Sequence, residues 1–116
     1  MGRFAVFAGE VLIGHSDLES GDPPMGVASG RFWPLPEYED IRSSCIAARE
    51  DYQDHLALSL RQPNGLPLPA EHGVSIFDYS SELGPDGLEV HAVGIAYPLY
   101  EALFPEHVAA YAKQFG

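Results

Sequence analysis

Basic side chains are scarce in this chain. Six Lys and Arg residues stand against seventeen Asp and Glu, giving a formal net charge of -11. A surface of that sign repels phosphate backbones and anionic lipid, which argues against nucleic-acid or membrane binding and in favour of basic partners. The same acidity also serves plain solubility. Cysteine is scarcer still: Cys45 is single and can close no internal disulfide, so nothing here calls for an oxidising compartment. No stretch approaches the eighteen or so apolar residues of a membrane span. The first twelve residues, with Arg3 and then Glu10, lack the long apolar run and small-residue cleavage site of a secretory signal. The expectation is a cytoplasmic protein.

What is present belongs to an ordinary globular domain. Hydrophobic residues make up 46% of 116, enough for one core and one domain, residues 1–116, and too few for two. Twelve Gly and ten Pro imply many turns. Residues 3–8 and 11–14 are apolar runs flanking Gly9-Glu10, which predicts a β-hairpin with Phe4 and Val6 on one face and Phe7 on the other. Residues 15–25 form a polar loop stiffened by Asp22-Pro23-Pro24, and residues 26–33 return to strand character.

Residues 36–54 carry the sharpest pattern. Tyr38, Ile41, Cys45, Ala48 and Tyr52 recur at steps of three and four, which predicts one face of a central helix beginning at Pro36. Residues 56–61 alternate apolar and small or polar side chains, predicting a strand with one buried face. Two further strands, residues 74–80 and 88–97, flank a turn at Gly84-Pro85-Asp86-Gly87. Pro98 begins a short helical turn, Pro105 interrupts it, and a second helix follows with Val108, Tyr111 and Phe115 as its stripe. The fold class is therefore α+β, in the order β-β-β-α-β-β-β-α. A mostly antiparallel sheet of about five or six strands packs against the central helix and a C-terminal helix.

Few residues suggest chemistry. His15, Asp17 and Glu19 are spaced by two, so an extended chain would set an imidazole and two carboxylates on one side, as a metal site or acid–base chemistry requires. Acidic residues beside Gly and Pro are more simply solvated. Cys45 lies between Ile41 and Ala48 on the apolar stripe, which favours a buried, inert thiol over a nucleophile. His55, His72, His91 and His107 show no close pairing of the zinc type, and no glycine-rich phosphate loop is present. No catalytic residue, metal or cofactor is assigned. Phe32 and Trp33 are neighbours on a strand and point to opposite faces, so one large ring is exposed unless both faces are covered.

Two stretches, SDLESGDPPMGVASGRF (16–32) and GLEVHAVGIAYPLYEALFPEHVAAY (87–111), resemble a group of short bacterial proteins without assigned function. That resemblance implies a bacterial cytoplasmic origin and carries over no catalytic residue. In size and acidity the chain is also similar to immunity proteins that neutralise bacterial toxins.

The leading expectation is a non-enzymatic protein-binding domain, of the kind that blocks a basic toxin, using Asp17, Glu19, Asp22 and Trp33 against its partner. The alternative is a small enzyme or ligand-binding protein built on the His15, Asp17 and Glu19 loop. A third reading, mimicry of nucleic acid by ordered carboxylates, fits the charge but not the ordinary apolar content.

Overall fold

The computed structural model describes residues 2–48 and 53–115. Eight strands form two antiparallel four-stranded sheets, in an α+β fold. The first sheet contains β1 (Phe4–Ala8), β2 (Val11–Ser16), β5 (Trp33–Pro34) and β6 (Leu58–Arg61), in the order β5-β2-β1-β6. The second contains β3 (Ser20–Asp22), β4 (Val27–Arg31), β7 (Gly73–Asp78) and β8 (Leu88–Val93), in the order β3-β4-β8-β7.

The hairpin of β1 and β2 turns at Gly9-Glu10, and Phe4 and Val6 are buried while Phe7 faces the other side. The strand expected over residues 26–33 behaves differently. Its first part pairs with β8, and the Phe32 N–H still reaches the Leu88 carbonyl at 3.0 Å. From Trp33 onward the chain pairs with β2, and the Leu35 N–H reaches the Ile13 carbonyl at 2.8 Å. One continuous run thus stitches the two sheets together, which is why they number two rather than one. The polar loop expected over residues 15–25 is another correction. Its middle is β3, paired with β4, and Pro23–Met25 closes as a 3-10 turn instead of running extended.

The central helix starts later than its pattern implies. Pro36–Asp40 is a 3-10 turn, in which the Ile41 N–H bonds the Tyr38 carbonyl at 3.0 Å, and α1 begins only at Arg42, running Arg42–Ala48. The apolar face is nevertheless real, since Tyr38 and Cys45 are fully buried. Tyr52 lies outside the described residues. After the second sheet's β7 come a single helical turn, α2 (Ser80–Leu83), and a 3-10 turn, Gly84–Gly87. The C-terminal segment is α3 (Leu99–Leu103) and α4 (Pro105–Phe115), broken at Pro105 as the sequence predicts. Its buried face is Phe104, His107 and half-buried Val108, while Tyr111 and Phe115 stay exposed, their rings tilted by 43° with centroids 4.7 Å apart.

Both sheets and the helical segments share one apolar cluster. Phe4, Val6, Ile13 and Leu60 come from the first sheet, Ala28, Ile76, Val90 and Ala92 from the second, and Tyr38, Cys45, Tyr100 and Phe104 from the helical parts. Among the described residues no helix is long and apolar enough to cross a membrane.

Candidate functional site

The site is built where the chain passes from one sheet to the other. Alternation along Arg31-Phe32-Trp33 sends Phe32 into the core, where it meets the Tyr38 ring edge-on at 5.0 Å, and leaves Trp33 outside at 39% exposure. The two aromatic rings therefore divide, one inside and one out. Gly14 on β2 makes room for this crossing: a Cβ there would lie 2.5 Å from the Trp33 carbonyl and would also collide with the Phe32 ring. No larger residue lets β5 approach so closely.

Trp33 forms a ridge between two hollows. One is a cleft of about 410 Å³ walled by Phe32, Trp33, Pro34, Pro85 and Leu88, with Arg31, Arg42 and Ser80 as its polar groups. The other, about 360 Å³, is bounded by Gly2, His15, Pro34 and Leu35. The Arg31 guanidinium stacks over the indole at 4.0 Å and reaches the Asp86 carboxylate at 3.0 Å. Asp86 belongs to the Gly84–Gly87 turn, so this contact ties the ridge to the opposite wall.

A buried polar network stiffens the base of the cleft. Tyr38 donates its hydroxyl to Asp78 Oδ2 at 2.6 Å, while the Ser80 hydroxyl and N–H both donate to Asp78 Oδ1, at 2.5 and 2.9 Å. Arg42 binds the Ser80 hydroxyl at 2.9 Å, stands 3.5 Å from Asp78, and closes on Glu39 at 2.7 Å. Burial alone would raise the Asp78 carboxyl, but the donors from Ser80 and Tyr38, with the Arg42 charge, outweigh it and hold the group below the usual carboxylate range. Burial, reinforced by the bond to Asp78, drives the Tyr38 phenol far upward. Asp78 is thus a fixed anion whose accepting capacity is largely used. The Ser80 hydroxyl gives its proton to Asp78, so this pair is an anchor for α2 and not an activated nucleophile. Burial likewise pushes the Cys45 thiol up, away from the thiolate a nucleophile needs.

The residues singled out from sequence fall in several places. Leu18 adopts a left-handed φ of 47° at the crossover, which breaks the alternation that would have set His15, Asp17 and Glu19 on one side. Among the described residues no three His, Cys, Asp or Glu side chains are arranged to hold a metal ion. Asp17 accepts the Arg3 N–H at 2.9 Å, and Glu19 accepts the Arg31 N–H at 2.9 Å. Glu19 is therefore tied to the Trp33 ridge through the backbone that leads into it. Asp22, exposed at the end of β3, faces a different neighbour. Burial first, and then the charges of Tyr97, Asp22 and Glu106, leave the Tyr100 phenol pushed up to about 12.

Sequence reasoning did not single out Arg31, Arg42, Asp78 or Pro85. One signal was available: an Asp two residues before a Ser at a strand end, as in Asp78-Tyr79-Ser80, is the pattern of a side-chain-closed turn. No protein-family model matches the chain, and no curated protein or solved structure matches it.

Proposed function

We propose that this chain is a non-enzymatic protein-binding domain that engages a basic partner through the face centred on Trp33. The observation that carries this reading is the indole itself, held outside the core on a ridge with a hollow on either side. Tryptophan, arginine and tyrosine are the residues that most often dominate binding energy at interfaces, and a rigid ring beside concave surface suits that role. Arg31 stacks on the ring, so little side-chain freedom remains to be lost on association. The chain's net charge of -11 favours a partner of opposite charge. A role as an immunity-type inhibitor, seated over the basic active site of a toxin, fits this arrangement.

The closed Asp78 network and the buried Cys45 support binding over catalysis. The test is affinity capture from a bacterial lysate with wild-type and Trp33→Ala protein as parallel baits, followed by kinetics on the protein recovered. The expected result is a basic partner kept by the wild type and lost by the variant, through a faster dissociation rate. Equal retention by both baits would remove Trp33 from the interface.

A further inference from the structure

We propose that the 410 Å³ cleft beside Trp33 is also a binding site for a small organic carboxylate with a flat apolar body, its carboxylate held by Arg31 in competition with Asp86. The volume lies in the range of small-molecule sites, and such sites join apolar walls to a few placed polar groups. Here the walls are Phe32, Trp33, Pro34, Pro85 and Leu88. The polar groups run against the sign of the whole molecule. Only six Lys and Arg residues occur in the chain, and two of them, Arg31 and Arg42, line this one cleft.

The two arginines have different roles. Arg42 directs Nε and Nη2 to Glu39 and Nη1 to Ser80, so it is committed to the buried network. Arg31 is less committed. Its one ion pair among the described residues is with Asp86, whose side chain is 84% exposed on a surface turn, and an ion pair so open to water holds weakly. Its Nε is buried without a hydrogen-bond partner, the one such side-chain atom among the described residues. A buried donor left unmet is unfavourable, and the Asp86 contact at Nη1 does not use the Nε–Nη2 edge, the one that grips a carboxylate bidentately through Nε. Asp86, on the turn beside the cleft, is therefore a weak and exchangeable partner of Arg31. The indole and Glu19, which fix the ring side and the backbone of Arg31, keep the guanidinium in place during the exchange.

The charge of the ligand follows from the surroundings. A cation would meet two guanidiniums, whereas a dianion such as phosphate would meet Glu39, Asp78 and the field of a chain carrying -11. A monoanion meets that field at about half the cost of a dianion while still pairing with a guanidinium, and a flat body uses the apolar walls. This inference does not rest on the protein-binding role, because it is read on the isolated protein.

Trp33 is the single tryptophan, so its indole N–H gives one resolved signal in a nitrogen–proton correlation spectrum. Wild-type protein is titrated with benzoate, its neutral isostere benzamide, benzylammonium, and inorganic phosphate. Benzoate is expected to shift that signal saturably, with the other three weaker by about tenfold or more. Arg31→Lys, which keeps the charge but loses the bidentate fork, should weaken benzoate by about tenfold. Asp86→Asn removes the competing carboxylate from an exposed position and should tighten benzoate several-fold, a gain that a merely structural Arg31 would not produce. Equal response to benzoate and benzamide, tighter binding of phosphate or benzylammonium, no saturation at millimolar benzoate, or weaker binding by Asp86→Asn would each overturn the proposal.

Discussion

Asp78 is the buried acid among the described residues, and its four donor contacts make it the residue whose loss the fold should feel most. Its carboxyl is held below the unfolded value of about 4. The stability it contributes is therefore complete above about pH 4 and is lost as pH falls through the lower folded value. Denaturant titrations across that acid range should show wild-type stability falling with pH, and Asp78→Asn should flatten the slope. At neutral pH, Asp78→Ala strands the Tyr38 hydroxyl and the Arg42 charge, and should cost about 3 kcal/mol. Cys45 predicts the opposite kind of result. It is buried within the apolar cluster, so Cys45→Ala should lose on the order of 1 kcal/mol of packing, and the native thiol should resist alkylating reagents until the protein is unfolded. The difference in legibility is physical. The burial of Cys45 follows from helical spacing, which a sequence displays. The burial of Asp78 depends on Tyr38, forty positions away, and no local pattern records that meeting.

Sheet edges are where a β-rich chain risks pairing with other copies, and each of the four is short or occupied here. Trp33–Pro34 is two residues long and includes a proline. The β6 edge is covered by residues 66–68, whose Leu68 N–H bonds Leu60 and whose Leu66 carbonyl accepts the Gln62 N–H. The three residues of β3 lie against α4, and a side chain at Gly21 would collide with Tyr100 and His107. Along β7 the buried Gln53 side chain imitates a strand: its amide N–H reaches the Ile76 carbonyl at 2.7 Å and its carbonyl accepts the Ile76 N–H at 2.8 Å. Gln53→Leu keeps the volume but leaves both Ile76 groups unmet, and should cost about 2 kcal/mol. Amide exchange at Ile76 should accelerate more than at Val6 in the other sheet. Uniform acceleration at both amides would mean that the clasp contributes only to global stability. At this scale the hairpin of β1 and β2 was legible from two apolar runs around a glycine. The start of the central helix was not. Apolar spacing marks a buried face equally well whether the turns close at three residues or four, and the early turn at Pro36–Asp40 closes at three.

For the molecule as a whole, short or partly covered edges leave little room for an added strand, so the proposed recognition falls on Trp33 and on the charge. The division into two sheets was not legible from the run over residues 26–33, because strand character is local while the choice of hydrogen-bonding neighbour at Phe32 is not. The charge was legible from the start, and it supports a kinetic prediction. If -11 steers a basic partner, association should slow markedly between low and physiological salt, where screening shortens to about 8 Å. Charge reversal at Asp22 should lower the association rate and leave dissociation nearly unchanged. Asp17 and Glu19 are poorer choices for reversal, since their carboxylates also hold the Arg3 and Arg31 N–H groups and their loss would disturb the local backbone. Trp33→Ala should act in the other direction, on dissociation. The two rate constants, measured by surface plasmon resonance at two salt concentrations, separate steering from anchoring. A complex whose association ignores salt but whose dissociation depends on Trp33 would retain the ridge as the anchor and reduce the acidic surface to a solubility device.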